Sequence, residues 1–367
     1  MTIIIFLIVL AVLIFVHELG HFLLARANGI RVDAFKIGFG PKLIAWKTGE
    51  TEYGINLIPF GGFVKIHGEN PDEDSINGPD KARSFVHKNR WQQASVLVAG
   101  VLFNFIFAWL LYVGVFASGV TATTDGFEKY ADRFTNQRVM VTYVGPHSPA
   151  EQAGLVVGDV LKKVGPATAT TGGTLSIGNI QEKINSTHGA PLAIDYIRGS
   201  ESHSVEVTPV SGLVPDKYAI GIAMSDVGDL RLPFFTSVVE GFRYTAIMIR
   251  ETAIGLYTFV AHIFQGTANF SDVSGPVGIA GIVGDAAHLG LTYLVMITAL
   301  ISINLGVINL IPFPALDGGR ILFVAIEGIV RRRISPKFSN AVNLVGFVLL
   351  MLLMVVVTYK DVMKLVK

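Results

Sequence analysis

The sequence contains no cysteine, so disulfides and thiol chemistry are excluded, and redox arguments assign no compartment. Charge is scarce as well. Only 16% of the 367 residues are Asp, Glu, Lys or Arg, against roughly a quarter in soluble globular chains. A net charge of +1 gives no electrostatic case for nucleic acid as a partner. The first apolar run, starting at Thr2, has no basic region before it and no small-residue cleavage site, which favours a retained anchor over a signal peptide. No Gly-x-Ser-x-Gly elbow supports serine chemistry. The stretch "GPATATTGG" lacks the Gly-Lys-Ser/Thr of a phosphate loop and reads as a flexible loop.

What is plentiful is apolar sequence, 51% of the chain. A membrane span needs about 20 helical residues. Thr2 to Ala27, Gln93 to Val120 and Leu291 to Ile311 are long enough, and Ala341 to Thr358 is near the minimum. Asn28-Gly29 closes the first run as a helix C-cap, with Arg26 in its last turn. The loop from Arg26 to Arg90 carries ten Lys/Arg, and "RRRISPK" lies between the last two spans. Four spans put both basic segments on one side, the cytoplasm, with both termini and residues 121–290 outside. The basic tail "YKDVMKLVK" argues more weakly the other way.

The outer segment divides in two. Period-two apolar runs between Gln137 and Val210 ("VMVTYV", "LAIDYI", "VEVTPV") predict a small β-rich domain. From Pro233 to Gln265 the pattern is helical, with Glu240, Arg243, Tyr244, Arg250, Glu251, Thr258 and His262 on one arc. That predicts an amphipathic helix on the outer membrane surface; a fifth span is the competing reading.

Within the first span stands "FVHELGHFLL". A charged side chain near the bilayer centre costs at least a few kcal/mol, so such residues need a purpose. His17-Glu18-Leu19-Gly20-His21 is the His-Glu-x-x-His pattern. Four residues is just over one turn, so both imidazoles can reach one Zn²⁺ at about 2.0–2.1 Å. Glu18 sits about 100° round the helix, placed to take a proton from water without occupying the metal. The bland alternative is a structural role, the imidazoles bonding only to neighbouring helices. A zinc enzyme needs a third protein ligand. Asp317 is the only acidic residue from Leu291 to Val324, Pro312 and Pro314 break the helix before it, and Gly318-Gly319 loosens the backbone after it. Irregular backbone at membrane depth is tolerated only where protein or a water-filled cavity covers it, so this break marks a site. Alone, it could be an ion-transport site, or a break with no chemical role. At 1.5 Å per residue, His17 lies about 15 Å from the Ala27 end and Asp317 about 21 Å from Arg331, so the two can share a level.

The stretches "HELGH", "IGFGPKL", "YGINLIPFGGFVKI", "KNRWQQASVLVAGVLFNF", "SGPVGIAG" and "NLIPFPALDGG", in that order, give the chain a clear resemblance to the site-2 proteases. These are intramembrane zinc metalloproteases, and the chain most resembles their bacterial regulator-of-sigma-E branch. The resemblance implies that His17, His21 and Asp317 bind Zn²⁺, that Glu18 is the general acid/base, and that Asn309 holds substrate or the transition-state oxygen. It also implies a membrane-embedded β-hairpin turning at Gly61-Gly62, which with Asn56 and Phe63 pairs with an unwound substrate strand. On its own residues "GINLIPFGGF" is apolar, Pro-limited and ends in a Gly-Gly turn, which suits an edge hairpin; an ordinary interfacial loop is the bland alternative. "SPAEQAGLVVGDVLKKVG" resembles the signature of a PDZ domain. Gly165-Pro166 replaces the common Asn-Gly there, there is room for one such domain only, and Val101 stands where the family often has Pro.

The expected fold is therefore an α-helical multi-pass membrane protein of about four spans, with the hairpin and one inserted β-rich PDZ domain. Its expected parts are a membrane core (1–120), the extracytoplasmic PDZ domain (121–215), a surface helix and loop (216–290) and a second membrane core (291–367). The implied function is cleavage of single-span membrane proteins, such as anti-sigma factors or remnant signal peptides, in the bacterial plasma membrane. The implied partners are those transmembrane substrates and the lipid bilayer. A metal-ion transporter is the alternative, although transporters commonly show inverted repeats and more spans. An aspartyl protease built on Asp317 would need a second Asp in a span, and Asp285 lies in a Gly-rich loop.

Overall fold

A computed structural model describes residues 2–70, 72–165, 175–199, 201–267, 274–332 and 334–366. The Gly-rich stretch beyond Gly165 therefore lies outside the described residues. Helices of ten residues or more are α1 (Thr2–Ala27), α2 (Arg90–Ser118), α3 (Ile177–Ser186), α4 (Phe234–Gln265), α5 (Pro276–Leu289), α6 (Leu291–Asn309), α7 (Asp317–Val330) and α8 (Pro336–Val366). Strands are β1 (Val32–Thr48), β2 (Thr51–Ile66), β3 (Val120–Thr123), β4 (Phe134–Val144), β5 (Val160–Gly165), β6 (Leu192–Arg198), β7 (Glu201–Val207), β8 (Val210–Val214), β9 (Lys217–Ala219) and β10 (Ile222–Leu230).

The chain forms two compact units. Phe116–Phe234 is one; the residues before and after it form the other. The inserted unit is a six-stranded sheet in the order β3-β10-β4-β5-β6-β7. Ile180 and Ile184 of α3 pack on Val141, Leu161 and Ile194 of this sheet. Its boundary corrects the expected 121–215. Ile222–Leu230 pairs with both β3 and β4, so the chain cannot leave the sheet before that strand is laid down.

In the membrane unit, α1 ends as its sequence predicts. Ile30 N–H donates to Ala25 O and Gly29 N–H to Arg26 O, both at 2.9 Å, with Gly29 at φ 64°. That is a Schellman cap, which needs a left-handed residue at this position. Beyond it, β1 and β2 form a long antiparallel ribbon. Its turn is at Gly49-Glu50, where Thr48 pairs with Thr51. Gly61-Gly62, expected to be the turn, instead lies inside β2. Gly62 pairs with Ile37, and a Cβ there would come within 3.0 Å of Ile14 on α1, so glycine serves close approach to the helix. Residues 34–37 pair with 62–65 on one side and 52–55 on the other, so the ribbon folds into a small sheet. Leu43, Ile44, Trp46 and Leu57 are exposed on it. An exposed apolar ribbon is a liability in water and suits a lipid surround.

Five described helices, one more than the sequence predicts, are long and apolar enough to cross a bilayer: α1, α2, α4, α6 and α8. The addition is α4, the least apolar of them. Of its polar arc only Glu240 is buried and Tyr244 half-buried, while Arg243, Arg250, Glu251, Thr258 and His262 are exposed. Ser237 and Thr245, off that arc, are buried as well, and Phe235, Phe242 and Phe264 are exposed. Trp109 Nε1 donates to Val238 O at 3.0 Å, and Thr252 Oγ1 bonds Asn304 Oδ1 at 3.1 Å, so α4 leans on α2 and α6.

The first and last helices are joined through α5. Val283 packs with Val9 and Leu13 of α1. At the other end of α5, the buried Asp361 of α8 accepts from Gly278 N–H at 2.8 Å and caps the helix from outside. Helix N-termini need such acceptors. Asp361→Leu should leave that N–H buried and unpaired and lower stability by about 1–3 kcal/mol. Asp361→Asn, which keeps an acceptor, should recover most of the loss, as read from thermal unfolding in detergent.

Candidate metal centre

His17 and His21 lie one turn apart on the buried face of α1. Their Nε2 atoms are 3.3 Å apart. Asp317, the first residue of α7, places Oδ2 3.1 Å from His17 Nε2 and 3.3 Å from His21 Nε2. The level shared by the two helices, expected from residue counting, is thus observed. Two ligands on a tetrahedral ion with bonds of about 2.0–2.1 Å stand about 3.3 Å apart, so this triangle has the edge length of a zinc site. Its chemistry agrees. His21 Nδ1 lies 2.8 Å from Val96 O, and donating its proton there leaves the lone pair at Nε2. Asp317 Oδ2 is buried with no hydrogen-bond donor among the described residues. Acceptors converging on one point need a cation, and the donor set of two imidazoles and a carboxylate suits Zn²⁺ with a fourth position open.

Two local features put Asp317 there. α6 ends at Asn309, and α7 starts after a segment containing Pro312 and Pro314, with Ala315 at φ 75°. Gly318 and Gly319 were expected to loosen this backbone; they pack it tightly instead. A Cβ on Gly318 would lie 2.2 Å from Ile311 O, and one on Gly319 2.3 Å from Phe313 O. Only glycine lets the break fold back against the start of α7. Beyond Asp317, Arg320 pairs with Glu69, and Glu327 pairs with Arg90 of α2 at 2.6 Å, tying α7 to the loop after β2 and to α2.

The α1–α2 crossing was not foreseen from the sequence. A Cβ on Gly20 would fall 2.4 Å from Ala99 O, and one on Gly100 2.3 Å from His21 Nε2 and 2.7 Å from His17 Cε1. Val96, Gly100 and Asn104 stand at i, i+4 and i+8, one stripe of α2 facing both imidazoles. The Asn104 amide is 3.1 Å from His17 Nδ1. The spacing of Gly100 and Asn104 inside an apolar span was the available signal.

Glu18 turns towards the ribbon. Its Cγ is 3.6 Å from where a Cβ on Gly62 would be, so β2 lies beside it. Gly61 continues β2 at φ 105°, and Phe63 pairs with Lys36. Asn56 differs from expectation. It is buried and its amide donates to Gly38 O at 3.0 Å, so its side chain works inside the ribbon. Asn309 ends α6, half-buried, and its amide is not part of the triangle. Because Gly100 touches both rings, Gly100→Ala should push them apart. Zinc per chain should fall, with a packing cost of about 1–3 kcal/mol, measurable by metal analysis and thermal unfolding.

Comparison with known proteins agrees with this geometry. The model of "Peptidase family M50" matches residues 5–353. A Clostridium perfringens protein named as a zinc metalloprotease is 38% identical over 366 residues, covering 99% of this chain and 98% of its own. A Shouchella clausii zinc metalloprotease, RasP, is 30% identical over 440 residues, covering 99% of both chains. The PDZ domain of an SdrC-like protein from Listeria monocytogenes covers 24% of this chain and 90% of its own at 21% identity, with a TM-score of 0.21, too low to carry an argument. The family match sets aside the transporter reading. With a match of this length, a donor triangle that could hold a metal and several bilayer-length helices, the chain belongs to peptidase family M50, the site-2 protease family, and is a membrane-embedded zinc metalloprotease.

Proposed function

We propose that this metalloprotease cleaves peptide bonds within the bilayer, in transmembrane segments of single-span proteins. One observation carries the reading: two corners of the donor triangle, His17 and His21, stand on a bilayer-length apolar helix, ten and six residues before its end at Ala27. A reaction at His17 would then lie about 15 Å in from the end of the helix. His17, His21 and Asp317 are the groups to hold the ion. Bound zinc would supply a Lewis acid and make water acidic enough to attack at neutral pH. Glu18 takes the proton from the attacking water and returns it to the amide nitrogen as the C–N bond breaks. Asn309 is proposed to donate to the carbonyl oxygen as it gains charge.

A substrate helix hides its peptide bonds in its own hydrogen bonds and must be unwound first. The backbone at Gly61, Gly62 and Phe63, beside Glu18, offers replacement partners by strand addition. Asn56 would support that strand from within. The inserted unit, read as a PDZ domain, would lie outside the plasma membrane and admit substrates already trimmed there. Anti-sigma factors and remnant signal peptides fit this description.

Four crossings fit better than five. α5 packs near the Thr2 end of α1, and Asp361 holds its start. Only the nine residues 266–274 separate Gln265 from Gly275, a reach of about 35 Å when fully extended. Had α4 crossed, that segment would have to recross a core of about 30 Å as an unpaired strand, which lipid forbids.

Glu18→Gln should keep zinc and lose cleavage of a transmembrane substrate by about a hundredfold or more. Asp317→Ala should lose zinc as well. Metal analysis and cleavage assays in detergent separate the two; near-normal cleavage by the Gln variant would sink the mechanism.

Orientation is open to test because the chain has no native cysteine. Cysteines at Ser202 and Thr267 should react with an impermeant thiol reagent on intact cells. One at Ser335 should react only after the membrane is opened. A protected Thr267 position with a reactive Ser335 position would restore α4 as a span.

A further inference from the structure

We infer that Asn104 is a positioning residue that fixes which nitrogen of His17 faces the metal. The inference rests on His17, His21 and Asp317 being the ligands. Each imidazole must present a lone pair at Nε2, which requires its proton to sit on Nδ1. For His21 the acceptor that holds this proton is Val96 O, at 2.8 Å. For His17 the group in the same position is the Asn104 side chain, two turns further along the same stripe of α2.

Asn104 is completely buried. As placed, its Nδ2 lies 3.1 Å from His17 Nδ1, while Oδ1 is buried with no donor among the described residues. Oxygen and nitrogen of an amide are told apart only by the hydrogen bonds they make. Left as placed, the amide would donate to Nδ1 and drive the ring proton to Nε2, against Asp317, where it would block a metal. Turned over, Oδ1 accepts the Nδ1 proton, the orphaned oxygen gains its partner, and Nε2 is freed. The turned amide is the assignment the chemistry requires. The backbone is held too: Asn104 O accepts from the buried Ser302 Oγ of α6 at 2.8 Å. The helix that leads to Asp317 therefore also holds the turn of α2 that orients His17.

Zinc affinity of the purified full-length protein, measured by competition with a chromophoric chelator, tests this apart from activity. Asn104→Leu, similar in size but without an acceptor, should weaken zinc binding about 10–100-fold. Asn104→Asp, which restores an acceptor, should return it to within a few-fold of wild type. Unfolding of the zinc-free chains shows whether each variant folds; if Leu does not, Asn104→Ala replaces it with the same expectation. Wild-type affinity in the variant lacking the acceptor, or an Asp variant as weak as that one, would overturn the inference. His21→Ala in the same assay keeps the two readings distinct. If it retains zinc, the ligand assignment is at fault; if it loses zinc while Asn104→Leu does not, Asn104 has no positioning role.

Discussion

The closeness of α1 to α2 is the constraint on which the rest of the site depends. Two helices carrying ordinary side chains pack with axes 8–10 Å apart. Here Gly20 meets the backbone of Ala99, and Gly100 meets the imidazole rings themselves, so the crossing is made by residues without side chains. In lipid no hydrophobic force drives helices together, and close packing of small residues takes its place. The same contact that joins the helices also sets the rings. His21 bonds Val96 above the crossing and the Asn104 amide meets His17 below it, so the imidazoles are gripped at two points on one rigid helix.

The carboxylate arrives by different means. Asp317 opens a helix after a proline-broken segment that is folded back on glycines and anchored beyond it by two ion pairs to Glu69 and Arg90. Rigid elements thus supply all three donors, which favours a site preorganised for its ion. Beside it lie the half-buried strand at Gly61–Phe63 and the exposed apolar ribbon, the surface proposed to meet an opened substrate.

Much of this was legible in the sequence because polar residues in lipid are so costly. His17, His21 and Asp317 stood out against apolar surroundings, and counting rise per residue put them at one level. The end of α1 at Asn28-Gly29 was equally readable, since the cap is local. Contacts over long separations were not. Gly61-Gly62 looked like a turn because paired glycines usually are; the real role of Gly62, closeness to Ile14 and Glu18, depends on helix residues 48 and 44 positions earlier. Gly318-Gly319 was misjudged in the same way. The end of the inserted unit was missed because β10 belongs to its sheet by pairing with residues up to 110 positions earlier, which periodicity does not reveal. α4 was hard for another reason. Its polar arc signals a surface, and only the burial of Glu240 shows that part of this surface is protein.

The central claim is that two imidazoles of α1 and the carboxylate of α7 together hold one zinc ion inside the membrane. Zinc X-ray absorption on the purified full-length protein tests it most directly. The account predicts a four-coordinate ion with scattering from two imidazole rings and oxygen ligands, all at about 2.0–2.1 Å. A shell with fewer than two imidazoles, or with three, would contradict it.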